Sequence, residues 1–243
     1  MSDDAAAQPP PAATRHPHLA DPLPEGWVRV DMHMHTMWSG DATTTPDELR
    51  EAVVESRIDV LCITDHNAIN GAVKLADDLG CRVIVGEEIR SGPGEIIGLF
   101  LTERVPLGLK APEAVARIKD QVGLVYIPHP FDPMRHCLHE DALYDLARSG
   151  SIDAVEVLNA KVSLSSLNQR AADFAEEFDL AAGAGSDAHE PSAVGAAFVE
   201  MPDFDDGDPQ SFLASLRQGR VVGHHYDAPR RWRPRVVPST KAL

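Results

Sequence analysis

Cysteine is scarce in this 243-residue chain: only Cys62, Cys81 and Cys137 occur, an odd number with no C-x-x-C pair. That pattern speaks against a disulfide framework and a thiolate zinc site, and a reducing, cytoplasmic setting is expected. No apolar run approaches the ~20 residues needed to span a bilayer. The N-terminus carries Asp3 and Asp4 followed by Ala and Pro, without the basic and apolar segments of a signal peptide. Positive charge is also short, with 22 Lys and Arg against 38 Asp and Glu and a formal net charge of -16. An extended nucleic acid or an anionic membrane needs a basic surface, so neither is expected as the main partner. No repeat, phosphate-cradling Gly-rich loop or Ser-nucleophile motif is present.

What remains is the composition of a soluble globular protein, 43% apolar and 25% charged, with eleven histidines. The ends differ from the middle. Residues 1–26, with AAAQPPPAA and HPHLADPLPEG, lack periodic apolar positions and are expected to be a disordered leader that includes His16 and His18. Residues 229–243 hold five basic residues and no acid. Residues 27–228 therefore contain 16 basic and 34 acidic residues, so the acidity belongs to the expected folded body.

Within that body, short β-branched runs alternate with helical patterns. The runs fall at 27–33, 58–64, 81–87, 95–101, 123–129, 153–159 and 180–186. Helix candidates include 45–56, with Thr45 as N-cap and Pro46 at the first helical position, and the periodic segments APEAVARIKDQ, DALYDLARSG and SLNQRAADFAEEF. Such alternation predicts parallel strands joined by crossovers. Seven strands suggest an α/β barrel one unit short of the eightfold type, with a doubly wound open sheet as the other solution.

Chemistry gathers at the strand ends. His33 and His35 lie two apart in Asp31-Met32-His33-Met34-His35 and project from one strand face. Paired imidazoles are explained by a shared cation, or, for one H-x-H alone, by hydrogen-bonded core histidines. Further clusters are Thr64-Asp65-His66, Gly86-Glu87-Glu88, His129-Pro130 and Ser186-Asp187-Ala188-His189. Each has an ordinary explanation singly, as a cap or a solvated loop acid. Together they end five of seven strands, at the rim where parallel-barrel enzymes place their active sites.

HMHTMWSGDA, ITDHNA, VGEEI, IPHP and GSDAH, in that order, resemble the motif series of the polymerase and histidinol phosphatase (PHP) domain superfamily, over about Val30 to Gly195. The resemblance implies a distorted (β/α)7 TIM-like barrel. It also implies two or three divalent ions (Mn, Zn or Fe) and hydrolysis of phosphoesters. By it, His33, His35, His66, Glu88, His129, Asp187 and His189 are implied metal ligands, and Asp65 a ligand or an orienting acid. Two positions depart from the common pattern. Ser39-Gly40-Asp41 places its acid one residue late, and Glu95 stands where many relatives have histidine. Asp41 and Glu95 are nevertheless carried as candidate ligands, with harder ions such as Mn or Fe favoured. Only residues 102–122 separate the fourth and fifth strands, so the helical insertion of small nucleotide-hydrolysing relatives is absent.

The expected activity is hydrolysis of a phosphomonoester or phosphodiester of a small molecule, nucleotide-like or sugar-phosphate-like, through a metal-bridged hydroxide. His33, His35, Asp65, His66, Glu88 and Arg135 would form the catalytic set, and Arg135, Asn159 and Lys161 would meet the substrate. Cleavage of a carboxylic ester, amide or carbamate on the same site is the alternative, and a non-catalytic metal-binding domain the next. His136, His139, His224 and His225 match no motif and are expected as surface or secondary-site residues.

Overall fold

The computed structural model describes residues 12–228. A short helix α1 (Ala12–Arg15) and a 3₁₀ turn (Pro17–Ala20) precede strand β1 (Trp27–Met34). There follow α2 (Pro46–Ser56), β2 (Val60–Ile63), α3 (Asn70–Leu75), β3 (Arg82–Ser91) and β4 (Gly94–Leu99). Next come α4 (Ala111–Lys119), β5 (Leu124–Ile127), α5 (Glu140–Arg148), β6 (Ala154–Asn159), α6 (Ser165–Glu177) and β7 (Ala181–Gly185). The order ends with β8 (Ala197–Pro202), α7 (Pro209–Leu216) and β9 (Arg220–Gly223).

All nine strands form one sheet in the order β7-β6-β5-β4-β3-β2-β1-β8-β9. Strands β1 to β7 curl until the end of β1 meets the residues beyond β7. The seam is made by Asp187 N–H on the His33 carbonyl at 2.8 Å and His35 N–H on the Ala188 carbonyl at 2.9 Å. The chain thus forms the distorted α/β barrel and not the open doubly wound sheet, and β8 and β9 extend it antiparallel alongside β1.

The all-parallel expectation fails at β4, which is antiparallel to both β3 and β5. Only Gly92 and Pro93 lie between β3 and β4, and a parallel crossover needs a dozen residues or more. Reversal has a functional effect: the first residues of β4 lie at the rim where its neighbours end.

Local chemistry sets the helices. Thr45 accepts from Glu48 N–H while Glu48 accepts from Thr45 N–H at 3.0 Å, a reciprocal cap at the start of α2. Apolar faces of α4, α5 and α6 pack on β5 and β6 around Ile118, Leu143, Phe174, Val125 and Val155. No helix among the described residues is long and apolar enough to cross a membrane.

The disordered leader is corrected over residues 12–26. Leu19 is buried among Leu49, Val53 and Val194, and His16 is fully buried with Nε2 at 2.9 Å from the Ser192 carbonyl. His224 is not a free surface residue either: it bridges His18 at 2.8 Å and His16 at 3.4 Å. Residues 1–11 and the basic segment 229–243 lie outside the described residues.

Burial lowers His16 from its usual 6.5 to about 4, with His224, Arg15 and His18 adding repulsion. The unfolded chain therefore binds this proton before the folded one does. The segment's docking is complete above about pH 6.5 and weakens as the pH falls toward about 4. The loss is on the order of 2 kcal/mol. Amide exchange of residues 14–20 is expected to accelerate over that interval, and a His16→Phe variant should flatten the dependence.

Candidate metal centre

The barrel rim collects the candidate residues from most of its strands. β1 supplies His33 and the residue just past its end is His35, the turn after β2 supplies Asp65 and His66, β3 carries Glu88, and the reversed β4 brings Glu95. His129 follows β5, and Asp187 and His189 follow β7. His129 and Asp187 both hold positive φ, 28° and 48°. Such backbone persists in non-glycine residues only where the surroundings over-determine it.

Glu88 lies at the middle. Its Oε2 is 2.9 Å from His66 Nδ1, 3.3 Å from His35 Nε2 and 3.6 Å from His33 Nε2, and its Oε1 is 3.0 Å from His129 Nε2. Asp187 Oδ1 approaches His35 Nε2 at 3.4 Å and His33 Nε2 at 3.8 Å. Four ligand triplets result, each with its donor atoms within 4.8 Å of one another: His35-His66-His189, His33-Glu88-His129, His33-His35-Asp187 and His66-Glu88-Glu95. Asp41, the most exposed candidate, belongs to none of them, but its Oδ2 lies 3.3 Å from both His66 Nε2 and His189 Nε2.

The donor set fits cations. His129 Nδ1 is buried without a hydrogen-bond partner, and Glu88 Oε2 and His66 Nδ1, though an ion pair at 2.9 Å, are not aligned for a hydrogen bond and have no other, an expensive state for buried polar atoms. The electrostatics agree. Burial alone would raise Glu88, yet His33 and His66 hold it well below the carboxylate range. Burial likewise opposes charge on His66, but Glu88 and Asp41 push it up to about 11. His35 goes the other way, lowered to about 3 by burial with His189 and His66 beside it. Imidazoles packed on carboxylates must capture protons to balance charge, and divalent ions would supply the same balance through the free nitrogen lone pairs.

A supporting layer fixes the ligands. Glu156, which the sequence reading missed, sits at 3.1 Å from His33 Nδ1 and accepts from His129 N–H at 2.6 Å. It leaves His33 Nε2 for a metal, as carboxylate partners of ligating imidazoles do. Its signal was an acid inside the apolar run DAVEVLN. Ser39 Oγ lies 2.8 Å from His35 Nδ1 and accepts from His66 N–H at 2.8 Å.

Asp65 takes the second of its two implied roles, and Asn159 is engaged otherwise than in meeting substrate. Both Asp65 oxygens accept from Thr36, N–H and hydroxyl, at 2.7 Å each, so Asp65 orients the loop after β1 and enters no ligand triplet. Asn159 is fully buried and donates to Glu156 at 3.0 Å and Asp187 at 3.4 Å, which commits its amide to holding carboxylates. Arg135 and Lys161 do reach the site: Arg135 Nη2 is 3.7 Å from Asp187 Oδ2, and Lys161 Nζ is 2.9 Å from His189 Nδ1.

Comparison with known proteins supplies the lineage. Residues 31–172, more than half of the chain, match the PHP domain family model, and residues 165–221 match a PHP-associated model. The chain belongs to the PHP domain family. It is 39% identical over 146 residues to one uncharacterized protein of Methanocaldococcus jannaschii, covering 55% of this chain and 82% of that one. A second uncharacterized protein of that organism is 34% identical over 197 residues, 78% of this chain and 79% of its own. Among solved structures, a two-domain Bacteroides vulgatus protein containing a predicted PHP-like metal-dependent phosphoesterase superposes with a TM-score of 0.64 at 20% identity. That match covers 84% of this chain and 67% of the other. A lesion-specific endonuclease from Pyrococcus furiosus superposes with a TM-score of 0.58 at 16% identity, over 80% and 57% of the two chains. At these identities the structural likeness speaks for the shared PHP fold, not for a shared substrate.

Proposed function

We propose that this PHP protein is a metal-dependent phosphoesterase acting on a phosphomonoester or phosphodiester of a small molecule. The observation that carries the reading is the overlap of four ligand triplets around Glu88 with two basic side chains at their edge. Divalent ions bound there would supply Lewis-acid activation of water and neutralise phosphoryl charge.

The chain's own groups do the rest. Glu156, which can only accept, fixes the tautomer of His33, and Ser39 holds the ring of His35, so that Nε2 of each faces Glu88 and Asp187. Lys161, whose burial lowers its pKa, and Arg135 present N–H donors beside Asp187, where phosphoryl oxygens would lie. Arg135 is anchored through Nη2 to the Lys161 carbonyl at 2.9 Å, so its remaining guanidinium donors keep a defined direction.

Phosphate release from a panel of monoesters and alcohol release from a panel of diesters, measured with Mn²⁺ and after chelation, test the reading. Turnover is expected to need the metal, to fall at least roughly 100-fold in His33→Ala, and to be inhibited by inorganic phosphate. Full activity in metal-free protein would overturn it, and hydrolysis of esters or amides without phosphate inhibition would favour carbonyl chemistry instead.

A further inference from the structure

A cavity of about 370 Å³ opens beside the ligand set, lined by Arg90, Ser91, Arg135, His136, Cys137, His139 and the Gly92–Gly94 turn, with no acidic residue. In a body with 34 acids against 16 bases, a wall of two arginines and two histidines is a local reversal of sign. Its volume lies within the range of small-molecule sites, roughly 300–1,000 Å³.

The wall is built, not incidental. The β3–β4 turn and the 133–139 loop are tied by Glu95 N–H to the His136 carbonyl and His139 N–H to the Pro93 carbonyl, both at 2.8 Å. Gly94, at φ 140°, lets the turn lie directly on the Cys137 carbonyl, where a Cβ would collide. Arg90 is held through its backbone: its N–H donates to Asn67 Oδ1 at 2.9 Å and its carbonyl accepts from Gly108 at 2.7 Å.

Both arginines also touch the candidate ligands. Arg90 Nη2 donates to Glu95 Oε1 at 3.3 Å, and Arg135 Nη2 is 3.7 Å from Asp187 Oδ2. Each therefore spends one nitrogen on the metal side of the wall. A guanidinium carries five N–H donors in a planar fork, so each keeps donors for the cavity side. Such forks match the paired oxygens of phosphate or carboxylate.

We propose that this cavity is a second anion subsite. The substrate would carry, besides the phosphoryl group placed at the metals, a second phosphate or carboxylate that docks on Arg90 and Arg135, with His136 and His139 as further donors. This rests on the phosphoesterase reading and narrows it to doubly anionic substrates. The same wall would disfavour phosphoesters whose second substituent is apolar, because burying it there would desolvate two guanidiniums without replacing their hydrogen bonds.

Titration calorimetry on the Mn²⁺-loaded protein with non-hydrolysable probes tests the subsite apart from turnover. Propylphosphonate offers one anionic group, 3-phosphonopropionate adds a carboxylate, and propane-1,3-bisphosphonate adds a phosphonate. At least one of the last two is expected to bind 10-fold or more tighter than propylphosphonate, and which one does identifies the anion. Arg90→Gln and His136→Gln should each reduce that advantage to below threefold, with propylphosphonate affinity in the same samples reporting an intact metal side. Equal binding of all three probes to the native protein would overturn the subsite and leave the phosphoesterase reading standing. An advantage that survives both substitutions would also overturn it. Failure of all three to bind would remove both.

Discussion

Glu88→Gln is expected to remove bound metal and phosphoesterase activity together, with a rate loss of about 10³-fold or more. The substitution keeps size and shape but deletes the one charge shared by His33, His35, His66 and His129, which surround it at 2.9–3.6 Å. Two of the four ligand triplets include Glu88 directly. The two that do not, His35-His66-His189 and His33-His35-Asp187, share imidazoles with those that do, so a change in ion number propagates. Metal content by elemental analysis is the direct measurement. A variant that retains its full complement of ions would show that Glu88 is not their common ligand, whatever its activity.

Gly185→Ala should damage the same centre from behind. A Cβ at the end of β7 would meet the His33 Cβ, the Glu156 Oε1 at 2.7 Å and the His33 backbone nitrogen at 2.9 Å. The Glu156 carboxylate can swing aside, but the His33 Cβ and backbone nitrogen cannot, so β1 and β7 must separate at the seam that closes the barrel. Overpacking of this kind costs typically about 1–3 kcal/mol. For a domain of this size that is a fall in Tm of about 2–4 °C per kcal/mol. Displaced His33 and Glu156 should also weaken metal binding by roughly 10–100-fold. Gly207→Ala is the control: its Cβ would meet only Asp205 Oδ1, at 3.5 Å, and Tm should stay put. A Gly185→Ala protein with native stability and metal content would count against the tight packing of the seam.

Much of this architecture was legible in the residues. The seven runs coincide with β1 to β7 within a few positions because those strands are buried, β1 to β6 with β-branched residues and β7 as a run of Ala and Gly, and the capped, periodic segments became α2, α4, α5 and α6. β8 and β9 were passed over. AFVEMP and RVVG are short, and they pair antiparallel at the sheet edge, β8 with β1 and β9 with β8. The reversal of β4 was readable and not read: the gap between the third and fourth runs has no room for a helix, and Ser-Gly-Pro-Gly is a turn. Residues 12–20 were misread because they have only one large buried apolar anchor, Leu19, and are otherwise held by His16 and Arg15 on the Ser192 carbonyl.

The candidate site shows the same division. Residue types that stand out by spacing, the H-x-H pair and the acids and histidines closing strands, were found from the sequence. Glu156 and Ser39 were not, since an acid in mid-strand and a loop serine have no periodic signature and reveal themselves only by what they touch. Asn159 and Asp65 stood at the right strand ends for a site but are spent on Glu156, Asp187 and Thr36. Position alone did not separate a group that meets ligands from one that holds them.

The seam of the barrel joins His33 and His35, early in the folded body, to Asp187 and Ala188, near its end. During synthesis the histidine pair leaves the ribosome long before its carboxylate partners exist. A bare pair of imidazoles is a poor competitor for scarce ions, whereas the finished rim offers several anionic donors at once. Ion capture would thus fall at the last stage of assembly, and the binding energy of the cations would accrue only to chains that have closed.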